Sequence, residues 1–204
     1  GLKIATTTRI MQELMGIDRP CGGIIYDDCI HASPATIRHA DHMHVVVECE
    51  LAVRLARDLP ATGKPYTRAD VRSAVAEVMA AFELIEDRKA HYKSCNAMSL
   101  IADNAWNAGI VVGAGRAVPA DLELDGRQGR LTIAPGDEVC TGLTDDPVGA
   151  LAWVANLAAG RGRPLRAGQV VITGSVILTR PMAVGATFSF EIDGIGAVEM
   201  TATA

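Results

Sequence analysis

The stretch VVVECELAV, Val45 to Val53, places Glu48 and Glu50 two residues apart in an otherwise apolar run. On a strand, alternate side chains share a face. Glu48 and Glu50 then lie side by side, and Val45, Val47, Cys49, Leu51 and Val53 fill the other face. Three chemistries fit the pair. One face of an edge strand can meet water, with Arg54 beside the carboxylates. The two groups can form an acid–base pair, although side chains two apart on one strand sit too close and too parallel to flank a bond. Or they can hold a hard divalent cation, which takes oxygen ligands and neutralises clustered carboxylates. A third ligand must then come from elsewhere. FELIEDR offers Glu83, on an apolar segment at the distance of a neighbouring strand, with Phe82 and Leu84 facing the other way. Alone, Glu83 reads equally well as a solvent-facing position.

Other reactive residue types are less organised. His39, His42 and His44 cluster in HADHMH, where imidazoles can bind zinc or simply form a polar loop. IVVGAGRAV has two glycines of a dinucleotide-binding turn but not the third, and Val118–Pro119 follows where that turn needs a helix. TGKPYT lacks the upstream glycine of a phosphate-binding loop. The five cysteines are odd in number and show no C-x-x-C spacing, which argues against a disulfide framework or zinc ribbon and points to a reducing, cytoplasmic setting.

These residues need a scaffold. A chain of 204 residues with 49% hydrophobic and 21% charged residues can bury the core of one domain, 1–204. A net charge of −5 leaves no basic footprint for nucleic acid. No apolar run reaches the about 18 residues of a membrane span, and no signal-peptide pattern opens the sequence. The first residue is Gly1, directly in patterned sequence, so an N-terminal portion is expected to precede it.

KIATTT reads as a short strand or turn, and strands are expected at CGGIIYDDCI, MHVVVECELAVRLA, FELIEDR, GIVVG, GQVVITGSVILT and ATFSFEIDGIGAVEMTAT. TRIMQELMG reads as one or two helical turns closed by Gly16. In 67–82, Val71, Ala74, Val75, Val78 and Met79 recur at helical spacing behind a Thr67 cap, which predicts a helix. A second helix is expected over 145–162, with Asp146 as cap, Pro147 in its first turn and Gly160 at its exit. DLELDGRQGRLTI reads as a hairpin turned at Asp125–Gly126. Without regular strand–helix alternation, the fold class is α+β: a mixed or antiparallel sheet curled into a roll with a few peripheral helices.

The order of these pieces resembles the 2-keto-4-pentenoate hydratase family, the hydratase/decarboxylase branch of the fumarylacetoacetate hydrolase superfamily. GLKIATTTRIMQELMGIDRPCGG resembles its G-x-K-[IV]-G-x-T segment and the G-[IV]-D-x-P that follows. VECELAVRLARDLP resembles its E-x-E strand, and FELIEDR its E-[IV]-[IV]-D-S-R. LIADNAWNAGIVVG resembles its A-D-N-A segment, and DPVGALAWVANLAAGRGRPLRAGQVVITGS its late helix and closing T-G-S strand.

The resemblance implies a fumarylacetoacetase-type β-roll and a metal-dependent hydratase of 2-hydroxy-2,4-dienoates in aromatic-compound catabolism. Glu48, Glu50 and Glu83 would hold Mg2+ or Mn2+. Lys3 and Asp103 would be catalytic, and Ser175 and Arg88 substrate-binding. Beside a cation, the pKa of Lys3 is expected to be depressed. A homo-oligomer, at least a dimer, is also implied. The sequence departs from the pattern at Ala5, where the family has Gly, and at Glu86–Asp87, where it has Asp–Ser; the family's N-terminal helical region lies outside this numbering. A decarboxylase of 4-oxalocrotonate-like diacids, an acylpyruvate C–C hydrolase using His31 or His39, and a non-catalytic partner subunit remain as alternatives.

Overall fold

A computed structural model describes residues 1–119 and 122–204, with residue 93 as backbone only. Thirteen strands form two sheets, among the described residues. The larger sheet contains β1 (Leu2–Ala5), β2 (Cys21–Ile24), β3 (Ile30–Ala32), β5 (Val45–Leu55), β6 (Val75–Glu86), β7 (Asn107–Val112), β8 (Arg116–Ala117) and β11 (Val170–Pro181). Its order is β2-β1-β11-β5-β6-β7-β3, with β8 also paired to β6. The smaller sheet contains β4 (Ala35–Arg38), β9 (Gln128–Ala134), β10 (Glu138–Leu143), β12 (Thr187–Ile192) and β13 (Gly196–Thr203), in the order β10-β9-β12-β13-β4. Both sheets are mixed: β1 runs parallel to β11 and β4 parallel to β13, while β5 and β6 are antiparallel. Four α-helices lie among the described residues, besides short 3-10 turns: α1 (Arg9–Met15), α2 (Arg68–Arg72), α3 (Ala97–Ala102) and α4 (Pro147–Gly160). The curled, strand-rich α+β architecture is the one the sequence predicts.

The core lies between the sheets. Phe82 of β6 meets Phe188 and Phe190 of β12, with ring centroids 6.3 and 6.1 Å apart. All three side chains are fully buried. Because side chains alternate along a strand, burying Phe82 turns Glu83 to the opposite face of the larger sheet.

Two expectations are corrected. The helix predicted over 67–82 is only α2, closed by a Thr67–Asp70 capping box, and Val75 to Glu86 is the strand β6. Its apolar residues fit both periods, and pairing on both edges, with β5 and β7, decides for the strand. The expected hairpin over 121–133 begins at Asp121, which lies outside the described residues. The turn at Asp125–Gly126 is present, but β9 pairs with β10 and β12 rather than with the segment before it. By contrast, α1 closes on Gly16 in the left-handed region, and α4 starts at an Asp146 side-chain cap with Pro147 in its first turn, as expected.

Candidate metal centre

β5 is an interior strand, flanked by β11 and β6, so its acidic face is not the water-exposed edge of a sheet. Glu48 pairs directly with Glu83 across β5–β6, and Glu50 pairs with Ala81 one step along the same face. One carboxylate oxygen from each of Glu48, Glu50 and Glu83 lies within 4.8 Å of the others. Glu50 and Glu83 are 1% and 0% exposed.

Each carboxylate has its own support. The Gly174 N–H donates to Glu50 Oε2 at 2.5 Å, and Thr179 Oγ1 donates to Glu48 Oε1 at 2.8 Å; both donors sit on β11. Asn107 Nδ2 donates to Glu83 Oε1 at 2.6 Å. Lys3 Nζ lies 2.5 Å from the same oxygen and donates to the Ala105 carbonyl at 3.1 Å. Glu83 Oε2 is buried without a hydrogen-bond partner.

The backbone between Asp103 and Asn107 explains that arrangement. Asn104, Ala105 and Trp106 all adopt left-handed conformations, with φ of 52°, 48° and 58°. Each costs about 1–2 kcal/mol for a residue with a Cβ. The turn is anchored by Asn104, which exchanges two hydrogen bonds with Ile24: 2.7 Å from the Ile24 N–H and 2.8 Å to its carbonyl. It presents the Ala105 carbonyl to Lys3 and the Asn107 amide to Glu83. On β2, Gly23 leaves room for this contact, since a Cβ there would lie 2.8 Å from the Asn104 carbonyl oxygen and 3.0 Å from Lys3 Cγ.

The electrostatics favour a cation. Burial, then the charges of Glu83 and Glu48, pushes the Glu50 carboxyl well above its ordinary value. Burial also raises Glu83, partly offset by Lys3. For Lys3, burial alone would lower the pKa, but the charges of Glu83, Glu48 and Glu50 outweigh it and raise it. These carboxylates set the direction for Lys3; the depression expected of it applies beside a bound cation. With all three ionised, the carboxylates exceed the one ammonium by two negative charges. A divalent cation would balance that charge and partner Glu83 Oε2. Three carboxylates are the oxygen ligands that a hard divalent ion takes.

The other expected site residues are distributed as follows. Ser175 pairs with Glu50 across β11–β5, but its hydroxyl donates to the Ile177 carbonyl at 2.7 Å. With Thr173 and Gly174 it lines a cleft of about 270 Å³, which Thr7, Asp146 and Trp153 also border. A larger hollow of about 780 Å³ is bordered by β2 and the end of α4; neither hollow is lined by the three glutamates themselves, and the smaller one adjoins them through Gly174 and Ser175 beside Glu50. Asp103 caps the end of α3 and is ion-paired with Arg88. Among the described residues it hydrogen-bonds neither Lys3 nor the three glutamates; Ala105 bonds Lys3 and Asn107 bonds Glu83. Sequence reading missed Asn107, although it lies in the same quoted segment.

Glu86 and Asp87 have specific partners. Glu86 accepts from the N–H groups of Met43, His44 and Arg88 at 2.7, 2.9 and 3.0 Å. Burial would raise its pKa, but those three donors hold it below the ordinary value. Asp87 accepts from Tyr92 Oη at 2.7 Å and the Lys89 N–H at 2.8 Å, and lies 2.7 Å from His44 Nδ1. These partners outweigh burial and depress it too. His42 Nδ1 stands 3.6 Å from Glu86 Oε2, so each histidine faces one carboxylate.

Comparison with known proteins agrees with this architecture. Residues 25–203 match the sequence pattern of the family described as fumarylacetoacetate (FAA) hydrolase C-terminal. A 2-keto-4-pentenoate hydratase from Burkholderia vietnamiensis is 32% identical, over 100% of this chain and 78% of its own length. A 2-hydroxyhexa-2,4-dienoate hydratase from Comamonas testosteroni is 29% identical, over 96% of this chain and 75% of its own length. The 4-oxalocrotonate decarboxylase from Pseudomonas putida G7, solved with magnesium and adipate, superposes with a TM-score of 0.88 at 25% identity, covering 99% of this chain and 77% of its own. The chain therefore belongs to the fumarylacetoacetate hydrolase family, in its hydratase/decarboxylase branch.

Proposed function

We propose that this protein adds water to a 2-hydroxy-2,4-dienoate of the 2-keto-4-pentenoate type, giving a 4-hydroxy-2-oxo acid. Glu48, Glu50 and Glu83 would hold the required Mg2+ or Mn2+. The observation that carries this reading is the buried carboxylate cluster, whose charge when ionised exceeds that of its one ammonium, with Glu83 Oε2 unpartnered. The hydratase relatives support the reaction class, and the magnesium bound by the decarboxylase supports the ion. When bound, such an ion supplies Lewis acidity to the oxygens of a 2-oxo acid.

The chain's own groups account for the rest. Lys3, fixed by Ala105 and Glu83, holds a proton beside the carboxylates and moves it as the dienol becomes a 2-oxo-3-enoate. Ser175 and the cleft it lines receive the substrate. The likeness to the decarboxylase favours a second reading, a 2-oxo diacid as substrate. That substrate needs a cation for its second carboxylate. Here Arg88 is paired with Asp103, and Glu86 and Asp87 add negative charge nearby. The monoacid therefore fits better. By family resemblance the protein assembles at least as a dimer.

The test is an ultraviolet assay with 2-hydroxypenta-2,4-dienoate after EDTA treatment, repeated with added Mg2+ or Mn2+. Metal-dependent loss of the dienol absorbance, with 4-hydroxy-2-oxopentanoate as product, is expected. The Glu83→Gln variant should fold and lose this turnover. Full activity in that variant would sink the three-glutamate centre.

A further inference from the structure

The loop that follows β6 meets the turn that serves Lys3 and Glu83. β6 ends at Glu86, and Asp87, Arg88 and Lys89 lead the chain away, the latter two in left-handed conformations with φ of 51° and 59°. Asp87 holds this bend and is 2% exposed. One of its oxygens accepts from the Lys89 N–H at 2.8 Å and lies 2.7 Å from His44 Nδ1. The other accepts from Tyr92 Oη at 2.7 Å. Bonds to a carboxylate are about twice as strong as neutral ones, so the tip of Tyr92 is firmly fixed. Its ring packs edge-on against Trp106, with centroids 5.2 Å apart and planes at 76°.

Trp106 is the last of the three left-handed residues between Asp103 and Asn107. Such a run is unfavourable by itself for residues with a Cβ, so its surroundings must hold both ends. Asn104 is held at one end by its two hydrogen bonds to Ile24. Trp106, at the other end, is buried with Met15, Ile85 and Leu100 and meets the Tyr92 ring. The first three contacts are apolar and carry no direction. Tyr92 does carry one, because its hydroxyl is bonded to Asp87. Between these two clamps the Ala105 carbonyl accepts from Lys3 Nζ at 3.1 Å, and just past Trp106 the Asn107 amide donates to Glu83 Oε1 at 2.6 Å. A close-packed interior transmits a displacement instead of absorbing it.

We propose that Tyr92 is a positioning residue for Lys3: tied by Asp87 and set against Trp106, it fixes the left-handed turn that aims the Ala105 carbonyl at the lysine. The proposal rests on the hydratase reading above, in which Lys3 moves a proton. Tyr92 acts through Trp106 and needs no contact with substrate. Without it the turn relaxes, and the Ala105 carbonyl and Lys3 Nζ shift together. Substrate is received elsewhere, in the cleft at Ser175, so the effect falls on kcat and not on KM.

The experiment compares wild type with Tyr92→Phe, which keeps the ring and loses the bond to Asp87, and with Tyr92→Leu, which loses both. Turnover of 2-hydroxypenta-2,4-dienoate is measured with Mg2+ and expressed per Mg2+ site counted by calorimetry, so that unfolded protein does not contribute. Hydrogen exchange of peptides spanning 104–107 is read by mass spectrometry, with β6 as the internal control. Tyr92→Leu should lower kcat about 100-fold, the cost of a misplacement of about 1 Å. KM should stay unchanged, and exchange should quicken at 104–107 but not in β6. Tyr92→Phe should fall between wild type and Tyr92→Leu. Wild-type kcat in Tyr92→Leu overturns the proposal. So does a fall in kcat with exchange at 104–107 unchanged. If wild type itself forms no hydrated product, the functional reading fails; faster exchange in Tyr92→Leu would then still support the hold of Tyr92 on the turn, and unchanged exchange would overturn that as well.

Discussion

Glu48 and Glu83 face each other directly across β5 and β6, the arrangement in which like charges on a sheet repel most. Glu50, one step along, is the member most strongly disfavoured as an anion, through burial and its two acidic neighbours. Without a cation, the centre therefore works against the fold.

Glu50→Gln should raise the melting temperature of the protein in EDTA, since the amide oxygen can still accept from the Gly174 N–H. For a chain of this size each kcal/mol is worth about 2–4 °C. Mg2+ should raise the melting temperature of wild type and leave that of the variant almost unchanged. Scanning calorimetry with and without Mg2+ reads both effects, and a less stable variant in EDTA would contradict the repulsion argument.

Glu86 carries a different pH signature. Its carboxyl is held below the ordinary value by three backbone donors. An acid with a depressed folded-state pKa contributes stability above its unfolded value of about 4.3 and loses it as pH falls through the folded value. Glu86→Gln puts an amide donor against N–H groups and should cost about 1–3 kcal/mol at neutral pH. Urea denaturation from pH 7 down to 3 should show the gap to wild type closing only below that unfolded value. A constant gap would mean that the charge of Glu86 is not what matters.

Gly23→Ala tests the support of Lys3. The new Cβ meets the Asn104 carbonyl at 2.8 Å and Lys3 Cγ at 3.0 Å, so the left-handed turn or the lysine must shift. A displacement of about 1 Å can cost a hundredfold in rate. Turnover should fall by about that factor while calorimetric Mg2+ affinity stays within a few-fold. Unchanged kcat would show that the turn yields without moving Lys3.

Phe82→Ala removes the contact between the sheets. Truncating a buried Phe costs about 3–5 kcal/mol, and Phe82 is fully buried against Phe188 and Phe190. Equilibrium urea denaturation should show a loss of that size, and a loss under 1 kcal/mol would mean that the rings are not the principal tie.

The acidic residues were legible because a carboxylate pair at i and i+2 in an apolar run is unusual and its strand period unambiguous. β6 was legible only in part. Val75, Val78 and Met79 fit a helix as well as a strand, and nothing local reveals that β5 and β7 will pair on either side. Family resemblance brought Asp103 forward, yet the contacts to Lys3 and Glu83 come from Ala105 and Asn107. Three left-handed residues with Cβ atoms were needed to aim those groups, and no sequence period announces them. The histidine cluster was legible, but the partner of His44 was not. Asp87 reaches it through the register of β5 and β6, a relationship that exists only once the strands are aligned.

The alternation of Phe82 and Glu83 also sets how this protein can change over time. Substitution on either face of β6 can adjust core or site separately. Gaining or losing one residue within the strand cannot, because a one-residue slip turns every following side chain to the other face. Carboxylates would enter the space between the sheets, and apolar groups would replace them at the centre. Chain length in β6 is therefore under tighter constraint than residue identity: descendants can tolerate many replacements there, but scarcely an insertion.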